Sequence, residues 1–506
     1  MSVIVPASDQ TAPLVEPSPP DATLARPADA HAARSVKLGL GALAVYGSGA
    51  LVENITTVAV GLLLLFYLTV ICGLSGSFAG LVLGATLVVD SAIDPIVGSL
   101  SDNSRSRHGR RHPFMLAAIV PIVLAFGLLF SVPRGLSGLP LFGYALAMLL
   151  SLRVAISFFY VPYMALGAEL SDDYAERSSI VAGRVFFTVI GGLAAAFLIW
   201  GVFLRGQTGR YNGAAYSPLA WTLGVIVIVG ALVSTLGTLR ARGRLHEAPR
   251  SGSFGVGQLG SELLEVLRNR SFLSLFMPCL ILFTALGVAG ALTLHAQTFF
   301  WKLSAVQILI LSLFAPVGVF GGIFAAGLLA RRIEKRSTAM LGLALIGVAQ
   351  LAPVPLRLSG LVPASGVVPM LALSTILGGL GGSIATIAFQ SMMADATDEH
   401  EHLFGARREG LYYAGITFTA KAARGLGALI GGIALDVIGF PHGITNPALL
   451  AKIPVQTIDN LGIAYGPGAS IFTAVSVAVL MTYKLTKADH ARIQADLTSR
   501  RAAKAD

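Results

Sequence analysis

In the run LVVDSAIDPIVGSLSD, Asp90 and Asp94 stand four residues apart in a stretch otherwise written for hydrocarbon. That spacing puts both carboxylates on one face of a helix. Two carboxylates this close repel when both are ionised, so either one holds a proton or a cation sits between them. Either occupancy can couple a cation to another event. Ser157, in a later apolar run, offers one more oxygen to a cation stripped of water. A plainer reading has Asp94 capping or kinking the helix at Pro95 while Asp90 pairs with an arginine.

Other ionisable residues interrupt apolar runs: Glu53 beside Asn54, then Arg153, Arg184, Lys421 and Arg424. A charge at the bilayer centre costs at least about 2.5–3.5 kcal/mol on insertion scales, so each should face protein or a wet cavity. Lys421 is expected to pair with Asp90 or Asp94 when the cation is absent and release them when it binds. Alternatively its stem snorkels to the membrane edge, a reading that suits Arg424 better. Arg184 either meets a bound solute or sits in a static ion pair, and Arg153 reads as static. His295 and Gln297 are candidates for polar cavity lining. Tyr160, Tyr163, Tyr412 and Tyr413 offer rings with hydroxyls, a surface that suits sugars.

The elements that carry these residues must be membrane helices. Of 506 residues, 55% are apolar and 12% charged, about half the charge of a soluble chain. Apolar runs long enough to cross a core of roughly 30 Å recur from residue 41 to residue 485. They are nearly continuous rather than alternating, which excludes a barrel, and the 57 glycines permit close helix packing. About a dozen helices are expected. Basic residues concentrate in alternate connections, around Arg105–Arg111, Arg240–Arg250 and Arg331–Arg336, which predicts an even helix number with both termini cytoplasmic. The polar interruption near residue 250 divides the chain into a disordered cytoplasmic tail (1–36), a six-helix bundle (37–240), a central cytoplasmic loop (241–270), a second six-helix bundle (271–485) and a terminal tail (486–506). Two such halves suggest alternating access. The net charge of +10 is spread over these loops, where it meets anionic headgroups rather than nucleic acid. The two cysteines form no CxxC pair, and the first 36 residues lack the layout of a cleavable signal peptide.

Three segments carry a family resemblance: DSAIDPIVGSLSDNSRSRHGRRHPF from Asp90, VPYMALGAELSDDYAERSSIVAGR from Val161, and MMADATDEHEHLFGARREGLYYAGITFTAK from Met392. Over roughly residues 35–485 the chain resembles the glycoside-pentoside-hexuronide:cation symporters, the melibiose-carrier branch of the major facilitator superfamily. The resemblance implies an all-α, twelve-helix fold of two pseudo-symmetric halves with one central cavity for cation and sugar. It assigns the cation to Asp90 and Asp94, with Ser157 in place of a threonine. Ile93 replaces an asparagine that helps bind sodium, which favours protons as the coupling ion. On the sugar side, the family's first-helix aspartate falls at Asn54, or at Glu53 if the register slips by one. A further aspartate and a tryptophan fall at Tyr160 and Met164, while the arginine and lysine are kept as Arg184 and Lys421. Asp102, Arg107, Arg110, Arg111 and Glu409 match the cytoplasmic gating motifs.

The expected function is therefore cation-coupled symport of a glycoside or related small sugar by a multi-pass protein of the cell inner membrane, active as a monomer and needing no cofactor or metal. The alternatives are cation-coupled transport of an amphiphile such as a lysolipid, or a sensor or scaffold that transports nothing. An enzyme is not expected: there is no Gly-rich nucleotide loop after a strand, and the HEH at His400–His402 lacks HExxH spacing.

Overall fold

The computed structural model describes residues 39–104, 106, 109–171, 173–206, 208–240, 269–405, 409–444 and 453–502. The expected tail at 1–36, nearly all of the central loop and Arg107 lie outside them. Among the described residues, eleven helices are long and apolar enough to cross a membrane: α1 (Leu40–Ile71), α2 (Gly76–Asp102), α3 (His112–Leu129), α4 (Gly138–Glu169), α5 (Glu176–Phe203), α6 (Gly213–Leu239), α7 (Arg270–Phe300), α8 (Ala305–Leu329), α9 (Lys335–Leu358), α10 (Ala364–Phe404) and α12 (Val455–Leu480). Between the last two lies α11 (Glu409–Val437), 29 residues long. At about 1.5 Å per residue it is ample for a span. Lys421, Arg424 and six glycines hold it below the apolar threshold, so the least lipid-like helix of the bundle is one that carries candidate function.

The first helix of each half ends in the same way. Tyr67–Ile71 and Ala296–Phe300 are π-helical turns. Each is followed by a residue at positive φ, Gly73 (75°) and Lys302 (53°), and then by a serine N-cap, Ser75 and Ser304, that starts the next helix. All three correspondences fall at one offset, 229 residues. Sequence alone showed only basic loops at matching places; the backbone shows the repeat.

At the basic end of the bundle, where α2 finishes and α3 begins, the ion pairs among the described residues repeat too. Arg111, at the start of α3, pairs with Asp102 of α2 and, at 3.0 Å, with Glu169 of α4, which Arg110 meets at 2.6 Å. In the second half Lys335, at the start of α9, pairs with Asp395 of α10 at 2.7 Å. These pairs stay within a half. The segment expected as a terminal tail folds over Lys487–Ala502 as a polar helix, α13. It is clasped to α10 by His490 with Asp398 (3.0 Å) and Arg501 with Glu401 (2.7 Å).

The opposite end is tied between halves. Thr69 Oγ1 and His295 Nε2 lie 2.9 Å apart, so His295 is a fully buried structural group there. Asp436 of α11 accepts from the backbone N–H groups of Gly76 and Ser77, both at 2.7 Å, at the start of α2. Arg210, in the connection before α6, donates to Thr298 Oγ1 at 2.9 Å and to the carbonyl of Leu303. Burial lowers the pKa of this guanidinium, and its two acceptors across the interface offset part of that cost.

Arg210→Ala leaves those acceptors unpaired, at a cost of about 1–3 kcal/mol to the sealed arrangement. Cys72 reports on it. Burial pushes this thiol up to about 11, so wetting the end should restore its thiolate. In a Cys279→Ser background, Arg210→Ala is expected to raise Cys72 labelling by a membrane-impermeant maleimide several-fold, and equal labelling would show that Arg210 does not hold this end shut.

Candidate functional site

Helix α11 is wedged between α2 and α7 by small residues on two of its sides. A Cβ on Gly80 would lie 2.9 Å from the carbonyl oxygen of Ala428, and one on Gly84 would lie 3.0 Å from that of Gly425. Gly427 and Gly287 meet as closely on the α7 side. In hydrocarbon, such stripes let backbones touch and helices hold by dispersion. The glycines of α2 recur every four residues, and the same face carries Asp90 and Asp94 toward α11 one to three turns later.

There Lys421 meets both. Its Nζ stands 3.0 Å from Asp90 Oδ2 and 2.5 Å from Asp94 Oδ2. On the other side of the carboxylates, Ser157 Oγ of α4 lies 2.7 Å from Asp94 Oδ1 and 3.2 Å from Asp90 Oδ1. Asp90 is buried, whereas the side chains of Asp94 and Lys421 keep 29% and 32% exposure, so the pair is reachable from one side.

That side is a cavity of about 280 Å³ between the halves, lined by Asp90, Asp94, Ser157 and Lys421 together with Glu53, Arg153, Tyr160 and Arg424. Glu53 accepts a hydrogen bond from Thr57 at 3.3 Å and sits in the field of Arg153 and, less strongly, Lys421. The guanidinium of Arg424 lies 5.2 Å from the Phe283 ring centroid, a cation–π contact. Three carboxylates thus face three cations, and with all of them ionised the lining is neutral. That balance is what permits six charges inside a membrane. A proton or monovalent cation taken up by the aspartates leaves the lining with one net positive charge and Lys421 with one anionic partner in place of two.

Two sequence expectations need correction. Arg424, read as better suited to snorkelling at the membrane edge, lines the cavity; Arg153 lines it too, beside Glu53, which its static reading allows. Lys421 and Arg424 are three residues apart and share a helical face, which is the signal that would have placed them together. Of the tyrosines, Tyr160 reaches the cavity. Tyr163 is buried against Tyr46, ring centroids 4.7 Å apart, and Tyr412 is buried in the second-half core against Phe272.

On the first helix, Glu53 lines the cavity. Asn54 turns away, its Oδ1 lying beside Gly191 and Gly192 of α5. Met164 and Arg184 pair with each other rather than line the cavity: Nη1 of Arg184 donates to Met164 Sδ at 2.7 Å, a weak acceptor for a guanidinium. Asp102, Arg110 and Arg111 form the ion-pair cluster of the basic end. Their partner Glu169 was not anticipated, although it closes the GAE of a quoted segment. Glu409 begins α11.

A charged cavity between two six-helix halves that repeat one another is the architecture of a major facilitator superfamily transporter. A family model described as MFS/sugar transport protein matches residues 45–487, and the chain belongs to that family, in its branch of glycoside-pentoside-hexuronide:cation symporters. An uncharacterized symporter of Synechocystis is 24% identical, with 90% of this chain and 96% of the relative covered. The isoprimeverose transporter of Lactiplantibacillus pentosus is 23% identical, with 89% of each covered. The crystal structure of a D-xylose-proton symporter shares the fold, with a TM-score of 0.58 at 14% identity over 88% of this chain and 98% of that one.

Lys421→Ala is expected to destabilise the detergent-solubilised protein by leaving Asp90 and Asp94 facing each other, and adding Asp94→Asn should recover part of the loss. Thermal unfolding of the two single variants and the double gives a cycle in which a direct contact couples by about 0.5–3 kcal/mol; strictly additive shifts would argue against the ion triad.

Proposed function

We propose that this protein is a cation-coupled symporter of a glycoside or related small sugar, working by alternating access with the proton as its coupling ion. The carrying observation is the bond of one second-half lysine, Lys421, to both first-half carboxylates, Asp90 and Asp94. In the unloaded state the lysine supplies the charge the pair needs. When a proton neutralises one carboxylate of the pair, the lysine keeps one anionic partner in place of two and the tie between the halves weakens, so cation occupancy and the relative position of the halves are linked.

Ser157 favours the proton. Its hydroxyl has one hydrogen to donate and stands within bonding distance of two carboxylate oxygens. With both aspartates ionised, one of those contacts sets lone pair against lone pair. A proton on Asp90 Oδ1 would donate to Ser157 Oγ while Ser157 donates to Asp94, and every contact becomes a hydrogen bond. Ile93 adds no oxygen for sodium.

The basic end is read as cytoplasmic, with both termini there and the protein in the inner membrane as a monomer. The arrangement sealed by Arg210, Thr69–His295 and Asp436 then faces inward. Tyr160 and the cations beside Glu53 would meet the solute.

The test is uptake of radiolabelled methyl glycosides and isoprimeverose into proteoliposomes under an imposed proton gradient, with and without sodium. Accumulation driven by protons alone is expected in the wild type. Asp94→Asn should abolish accumulation while leaving solute exchange, because binding survives when coupling is lost. Gradient-driven accumulation undiminished in Asp94→Asn would sink the proposal.

A further inference from the structure

A second cavity, of about 190 Å³, lies inside the second six-helix half among α7, α8, α9, α10 and α12. Its polar side chains are Gln297, Trp301, Gln350, Ser374, Thr375 and Tyr465, and no charged residue lines it. The contrast with the central cavity and its six charges is complete. Leu286 borders both.

Two features mark this space as built rather than left over. Gln297 belongs to the π-helical turn Ala296–Phe300, and Tyr465 to the π-helical turn Ala464–Gly468, which contains Pro467. Widened turns break the regular hydrogen-bond ladder and recur at functional sites. Here two from different helices converge on one cavity, and Pro353, at a third helix break, joins them. The second feature is unused hydrogen-bonding capacity. Gln350 accepts from Thr473 through Oε1 at 2.9 Å, which leaves its amide N–H groups to donate. Thr375 spends its proton on the carbonyl of Leu371 and keeps acceptor lone pairs. The indole ring of Trp301, which lines the cavity, is held by Arg357, 5.1 Å from its centroid.

Amide donors and acceptors, hydroxyls and two aromatic rings without charge are the chemistry of a neutral polyhydroxylated ring: each hydroxyl both donates and accepts, and the ring's C–H face lies on an aromatic surface. A buried polar cavity of this kind discriminates strongly, because a solute lacking the hydroxyls leaves its groups unpaired. Being smaller than the roughly 300–1,000 Å³ of drug-sized pockets, the space suits one sugar ring. We infer that this cavity is a subsite for one neutral pyranose ring of the transported glycoside, with Gln297 and Ser374 selecting its hydroxyls.

The inference rests on the sugar-symport reading, and the experiment separates the two. The chain has three tryptophans, so Trp200→Phe with Trp221→Phe leaves Trp301 as the sole emitter. Methyl β-D-xylopyranoside and methyl β-D-glucopyranoside are titrated into this purified protein, and their uptake by proteoliposomes is measured alongside. Saturable change in Trp301 emission is expected at the concentrations that half-saturate uptake. Gln297→Leu and Ser374→Ala should each raise KM about tenfold or more, with maximal uptake and protons carried per solute unchanged and thermal unfolding unmoved. Uptake with KM within twofold of wild type in both variants overturns the subsite while symport stands. If the wild type carries neither glycoside, the symport reading fails for them; a saturable Trp301 response would then still support the subsite, and a flat one would overturn it.

Discussion

Two carboxylates four residues apart on one helix repel, and a membrane interior makes that repulsion expensive unless a positive charge stays within reach. In this chain the positive charge comes from the other half of the molecule. Lys421 on α11 bonds both Asp90 and Asp94 on α2, so the electrostatic need of one half is met only by a particular position of the other. The rest of the site follows from bringing α11 close enough. Gly80 and Gly84 remove side chains from the α2 face, Gly287 and Gly427 do the same toward α7, and the backbones approach until a lysine stem spans the remaining gap. A lone carboxylate on α2 would not need the lysine so strongly, and a bulkier crossing would not let the lysine reach.

The ties between halves are distributed unevenly. Arg210, His295 and Asp436 lock the halves at one end, while the described ion pairs of the basic end, Arg111 with Asp102 and Glu169 and Lys335 with Asp395, hold each half together internally. Packed interfaces switch between discrete arrangements rather than deform smoothly. A change of one charge beside Lys421 is of the size needed: the contacts it must outweigh are a few hydrogen bonds to buried groups, each about 0.5–1.5 kcal/mol net.

The charged part of this site was legible in the sequence because charge in hydrocarbon is costly and therefore conspicuous: Asp90, Asp94, Glu53 and Lys421 all stand where their apolar surroundings called for a partner. The number of helices was legible for the same reason. Arg424 was misjudged because a long side chain can either snorkel or turn inward, and spacing from Lys421 rather than apolar context decides between them. Tyrosines gave no such signal. Tyr160, Tyr163 and Tyr412 have the same chemistry, and only helix rotation determines that Tyr160 meets the cavity while the others fill cores. The uncharged cavity was invisible for a related reason: glutamines, serines and a tryptophan cost little to bury when bonded, and the π-helical turns that gather them leave no residue pattern that distinguishes them from ordinary helix. The expectation for Gln297 as polar lining touched this cavity without locating it.

Protonation of one carboxyl group and the weakening of the Lys421 tie are a single event. Infrared difference spectroscopy of the purified protein, stepped from alkaline to acidic pH, tests this directly through the carbonyl stretch of a protonated aspartic acid. The account predicts a band that appears with the step in the wild type, is already present at neutral pH in Lys421→Met, and is missing when Asp90 and Asp94 are both replaced by asparagine. A band that titrates identically in wild type and Lys421→Met would contradict it, because the lysine would then have no part in holding the proton off the pair.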